Sequence, residues 1–134
     1  AQAMQYLAND INVHNVHGDS AKVLKDYILP NRNTLFLLDA HWHDACPLLD
    51  ELRQIAEVGI KPIIIIHDFV VPNHSELGYD SYKGQPLDWA YIQTAIEPIY
   101  GKDGYRKEYN SKASEGSANR GVIFIYPKQC NFPY

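Results

Sequence analysis

No run of apolar residues in this chain approaches the roughly 20 needed to span a bilayer. No basic segment followed by an apolar stretch opens it either, so neither a membrane helix nor a secretory leader is expected. Positive charge is scarce and scattered: 12 Lys and Arg stand against 16 Asp and Glu, a net charge of −4. The densest basic group (Lys102, Arg106, Lys107) is broken by Asp103 and Glu108. Nothing resembles the basic stripe that tracks a phosphate backbone, which argues against nucleic acid as a partner. Cysteine is nearly absent, and Cys46 and Cys130 show no metal-type spacing. Read as two reduced thiols, they fit a cytoplasmic protein. Repeats are missing, and so is any G-x-G tripeptide.

What remains is an ordinary globular composition, 46% apolar, in 134 residues. That length makes one domain, large enough to bury a core. Residues 11–17 alternate apolar and polar, which predicts a short strand. Asp19 and Ser20 can cap a helix carrying Val23, Leu24, Tyr27 and Ile28 on one side, stopped by Pro30. TLFLLDA (34–40) is a continuous apolar run, as in a strand covered on both faces. Pro47 suits the start of a helix and Gly59 its end. PIIIIHDF (62–69) predicts a buried central strand, because four β-branched residues in a row favour a pleated interior.

Residues 70–85 read as a long polar loop. Pro86 is placed to open a helix with Trp89, Ile92, Ile96 and Ile99 on one stripe, which Pro98 should end or kink. YRKEY (105–109) and RGVIFIYP (120–127) read as two closing strands, joined as an antiparallel edge. The alternation of strands and helices implies an α/β domain with a mostly parallel sheet and helices on both faces.

Ligands of open α/β sheets bind beyond the carboxyl ends of the strands. Three such ends carry polar, chemically capable groups: Gly18-Asp19-Ser20, Asp39-Ala40-His41-Trp42-His43-Asp44 and His67-Asp68. NVHGDSAKVL, TLFLLDAHWHD and PIIIIHDF resemble the third, fourth and fifth strand ends of class I S-adenosylmethionine (SAM) methyltransferases. YRKEY and RGVIFIY are similar to that family's antiparallel last two strands.

The resemblance implies a three-layer Rossmann-like fold and a cofactor site that includes Asp19, Ser20, Asp39 and Trp42. Its nearest pattern is that of metal-assisted, catechol-type small-molecule O-methyltransferases, where Asp39 and Asp68 match the two metal-binding aspartates. Phe69 stands where that pattern has Asn, and His41 or His67 is the candidate replacement ligand; a histidine would shift the preference from Mg²⁺ toward Mn²⁺, Fe²⁺ or Zn²⁺. The implied reaction is methyl transfer to a small-molecule hydroxyl aligned and deprotonated by the ion. His41 or His43 would otherwise serve as general base. Tyr79, Asp80 and Tyr82 would line a lid or substrate wall.

The resemblance also shows what is missing. The family's glycine turn and its first two strands have no counterpart here, and the opening AQAMQYLAND fits a truncated product. Without those strands an apolar sheet edge is left open, which predicts a homo-oligomer. A truncated or degenerate domain that binds or assembles without catalysis is therefore the alternative. Asp39-Ala40-His41 followed by Asp44 also resembles the metal motif of arginase-like ureohydrolases, but the spacing is one residue too long. Blander duties exist for each residue: Asp39 and Asp68 as turn caps, His67 as a core histidine bonded to backbone, Asp19 as a helix cap, and the loop tyrosines as packing groups.

Overall fold

The structure, a computed structural model, describes residues 12–41, 43–112 and 119–130. Its elements are α1 (Ser20–Val23), a 3₁₀ turn (Leu24–Tyr27), β1 (Leu35–Leu38), α2 (Leu48–Val58), β2 (Ile63–His67), β3 (Ser81–Tyr82), β4 (Gln85–Pro86), α3 (Trp89–Tyr100), β5 (Tyr105–Tyr109) and β6 (Val122–Pro127). The domain is mixed α/β. Four strands form a sheet in the order β1-β2-β6-β5, and β3 pairs with β4 alone. β1 and β2 run parallel, while β6 is antiparallel to both β2 and β5. The expected antiparallel edge is present, with β5 outermost, but β1–β2 is the one parallel pairing of the three in this sheet, so the sheet is mixed and not mostly parallel as expected.

The four isoleucines behave as a period-two strand requires. Ile64 and Ile66 are fully buried, while Ile63 and Ile65 are only half-buried. With Leu38, Ile123 and Ile125 they join one hydrophobic cluster with Leu48, Leu52 and Ile55 of α2 and Ile92, Ile96 and Ile99 of α3. The opposite face is far less covered, so among the described residues the helices gather on one face and do not form the expected layers on both. Leu35 is 56% and Leu37 63% exposed, so β1 is not buried on both faces as its apolar run suggested. The sequence pattern reports that the side chains are apolar, not that a second layer covers them.

Several local expectations are corrected by physical detail. Residues 12–17 form no strand; their apolar alternation is only three residues long and finds no pairing partner among the described residues. α1 is a single turn before it tightens into the 3₁₀ segment, and Tyr27 faces solvent at 59% exposure while Ile28 is buried. Asp19 does cap it, accepting from the Ala21 N–H at 3.1 Å.

Pro86 lies in β4 rather than in a helix, because the 70–87 segment holds a small hairpin turned at Lys83 and Gly84, whose φ values are 53° and 81°. α3 instead starts after Asp88, whose carboxylate accepts from the Tyr91 N–H at 2.9 Å. It also runs two residues beyond Pro98. A proline forfeits one hydrogen bond there, but the buried Ile99 and Tyr100 hold the last turn against the core. α2 follows expectation closely: Pro47 is its N-cap and Gly59, at φ 76°, its left-handed stop. Among the described residues no helix is long and apolar enough to cross a membrane.

Candidate functional site

Parallel pairing of β1 and β2 sets Leu38 opposite Ile66, so the next residues along each strand, Asp39 and His67, emerge side by side. Asp68 follows at once. Asp39, His67 and Asp68 each offer one ligand atom, all within 4.8 Å of one another. His67 Nδ1 lies 3.6 Å from Asp39 Oδ1 and 3.1 Å from Asp68 Oδ1. Neighbouring ligands on an ion with bonds of about 2.0–2.2 Å stand roughly 3 Å apart. The triad therefore stands near ligating distances. His67 and Asp68 side chains are 13% and 14% exposed, Asp39 48%, so the group opens toward solvent on the Asp39 side.

Asp68 sits in the left-handed region at φ 58°. A non-glycine residue persists there only where its surroundings hold it, and such positions concentrate at functional sites. Here three backbone bonds do the holding. Phe69 N–H donates to the Gly121 carbonyl at 2.9 Å, Asp80 N–H to the Asp68 carbonyl at 2.9 Å, and Val70 N–H to the Leu87 carbonyl at 2.8 Å. The first contact is so close that a Cβ at Gly121 would collide with the Phe69 carbonyl. Only glycine fits there.

One cation reaches this acidic rim. Arg120 donates through Nε to Asp68 Oδ1 and through Nη2 to Asp80 Oδ1, and the Tyr82 hydroxyl donates to Asp80 Oδ2 at 3.2 Å. Burial pushes the Asp68 carboxyl up, but the hydrogen bond and charge of Arg120, with His67 beside it, outweigh this and hold it below the usual carboxylate range. Burial, with the neighbouring Asp80 charge second, raises the Tyr82 phenol well above its ordinary value. Tyr82 is thus a hydrogen-bond donor and not a base. Burial likewise raises the Cys46 thiol, which argues against a reactive thiolate.

Two hollows meet at this rim. A small one of about 10 Å³, room for about one water, is lined by Asp39, His41, Cys46, Glu51, His67 and Asp68, with Asp80 and Tyr82 completing it. A larger cleft of about 540 Å³ runs alongside, lined by Gly18, Asp19, Ser20, Ala40, His41, Cys46, Pro47 and Asp50. Its size is that of a small-molecule site. Ala40, His41 and Cys46 belong to both linings. Asp19 and Asp50 line the cleft, and each is ion-paired, Asp19 with Lys22 at 3.0 Å and Asp50 with Arg53, so the carboxylates of this wall are charge-balanced.

The structure thus gathers Asp39, His41, Asp68, Asp80 and Tyr82 around the small hollow and Asp19, Ser20 and His41 around the larger one. His43, at φ 49°, and Tyr79, 50% exposed, line neither. Trp42 lies outside the described residues. Three participants escaped the sequence reading. Glu51 and Gln54 sit on the buried side of α2 at 2% and 6% exposure. Gln54 ties the helices together, accepting from the Lys25 N–H at 3.0 Å and donating to the Ser20 carbonyl at 2.8 Å. The spacing of Glu51 and Gln54 with Leu48 and Ile55 was the available signal, since it puts them on the apolar stripe. Arg120 had no such signal, because long-range pairing, of β6 with β2 and of Arg120 with Gly78, is what brings it to Asp68.

Compared with known proteins, the chain matches no family model, no curated protein and no solved structure.

Proposed function

We propose that this domain is a SAM-dependent methyltransferase-like protein that transfers a methyl group to a small-molecule hydroxyl with the help of a divalent ion. The observation that carries the reading is the convergence of Asp39, His67 and Asp68 at two adjacent parallel strand ends, beside a cleft walled by Asp19 and Ser20. Both aspartates that the family resemblance singles out are in the triad, and the cleft borders the place where the resemblance puts the cofactor. The fold reading that goes with it is the closing half of a Rossmann-like methyltransferase sheet.

The donor set suits a divalent ion: two carboxylate oxygens and one imidazole nitrogen, with a nitrogen ligand favouring Mn²⁺, Fe²⁺ or Zn²⁺ over Mg²⁺. Such an ion supplies Lewis acidity that lowers the pKa of a substrate hydroxyl. Asp39 and Asp68 hold and orient it. His41, on the wall shared by both hollows, is the candidate to take the hydroxyl proton.

The test is a calorimetric titration of the chain with S-adenosylhomocysteine, with and without Mn²⁺ or Mg²⁺. Saturable binding, lost in Asp39→Asn when it depends on the ion, supports the enzyme reading. Absence of binding under every condition sinks it. That result would favour a degenerate domain in which the Asp68–Arg120–Asp80 ion pairs are a structural clamp, a reading those pairs already support.

A further inference from the structure

We infer that Arg120 is a built-in competitor for the metal site: its guanidinium and a divalent ion contend for the same Asp68 carboxylate, so Arg120 sets how tightly the ion is held. The inference rests on the metal reading above and goes beyond it to a residue outside the triad.

The geometry is specific. Asp68 Oδ1, the oxygen that stands 3.1 Å from His67 Nδ1, is also the acceptor for Arg120 Nε. An ion drawn to the triad needs electron density on that carboxylate, and a guanidinium bonded to it both occupies the oxygen and repels a second cation. Asp39, Asp68 and Asp80 set three carboxylates against one guanidinium, with Glu51 lining the same hollow, so acidic groups remain in excess and draw a divalent ion. The guanidinium therefore lowers affinity without abolishing attraction.

Arg120 holds two carboxylates through different nitrogens, Nε to Asp68 and Nη2 to Asp80. Its own backbone is fixed, because Gly78 and Arg120 form a bridge and Gly121 N–H donates to the Gly78 carbonyl at 2.8 Å. An arriving ion can thus break the Asp68 contact while the Asp80 contact persists. The side chain swings on that remaining anchor instead of leaving the site. Arg120 acts here as a positioning residue that adjusts Asp68.

The test is Mn²⁺ binding to the full chain, followed by calorimetry and by the electron paramagnetic signal of free Mn²⁺, for the unaltered protein, Arg120→Gln, Arg120→Lys and Asp39→Asn. Arg120→Gln is expected to bind at least tenfold tighter than the unaltered chain. Arg120→Lys, which keeps the charge but not the planar fork, should fall between them and guards against a Gln variant that does not fold. A second readout needs no substitution: as Mg²⁺ is added, the Arg120 Nε–H resonance should move toward a solvent-exposed position with the same midpoint as ion binding.

Equal or weaker binding in a folded Arg120→Gln or Arg120→Lys, or an Nε–H signal that stays still while the ion binds, would overturn the competition and leave the metal site standing. Binding that is lost in Asp39→Asn shows that site independently. No binding in any variant would remove both.

Discussion

The Tyr100 hydroxyl donates a 2.7 Å hydrogen bond to the Pro62 carbonyl, joining the last turn of α3 to the residue before β2 across 38 positions of sequence. Tyr100 is 3% exposed, and burial raises its phenol well above the ordinary value, so the hydroxyl stays protonated as the donor. Tyr100→Phe would keep the ring packing and leave the Pro62 carbonyl without this partner. The expected cost is about 1–2 kcal/mol in urea unfolding, with an unchanged m-value. No loss of stability would mean that water replaces the bond.

The two faces of the sheet should respond oppositely to substitution. Ile64→Ala empties a fully buried position in the central strand and should cost about 2–5 kcal/mol. Leu37→Lys places a charge where the native side chain is 63% exposed, and should change stability by less than about 1 kcal/mol. Thermal melts of the two variants decide it. A large cost for Leu37→Lys would show that this face is covered in solution.

That contrast marks the limit of what the sequence could tell. The β2 isoleucines, the Gly59 stop and the β5–β6 pair were readable because each rests on local chemistry: β-branching, a left-handed cap, two short strands of the right length. Which face of LFLL would be covered was not local. It depends on what packs over β1, and an apolar side chain has the same identity whether or not a layer arrives. The site divided in the same way. Asp39, His67 and Asp68 follow apolar strands, so their place on the rim was legible. Arg120 lies 52 positions from Asp68, and no pattern within either segment announces their contact.

Gly121 should tolerate no side chain. A Cβ there would meet the Phe69 carbonyl and lie 2.9 Å from Val71 Cγ2, and backbone cannot rotate aside as a flexible side chain does. Gly121→Ala is expected to cost about 3 kcal/mol or more by forcing β6 away from the Asp68–Phe69 corner. The same shift should loosen Arg120 from Asp68. Amide exchange at Phe69, whose N–H donates to the Gly121 carbonyl, should rise by more than global destabilisation explains. An Ala variant with native stability would mean that the corner is more open than this contact implies.

Glu51 gives the clearest pH dependence. Burial raises its carboxyl above the ordinary value, against the lowering effect of a hydrogen bond with Ser20. A carboxyl raised in the folded state binds its proton more tightly there than in the unfolded chain. Between the ordinary glutamate value and the raised one, the folded state carries more protons, so stability falls as pH rises through that window. Above it, the folded protein bears the full cost of a buried charge. Glu51→Gln has no charge to bury and keeps a carbonyl oxygen for Ser20. It should therefore be more stable than the unaltered chain at pH 8, by about 0.5–2 kcal/mol, the range of ordinary stabilising substitutions. The gain should shrink as pH drops and vanish below about pH 4, where glutamate is protonated in both states. Denaturant midpoints at pH 4, 6 and 8 measure it. A gain that is the same at all three would trace the effect to packing instead of charge, and a loss at pH 8 would show that the Glu51 carboxylate makes a favourable contact stronger than its desolvation.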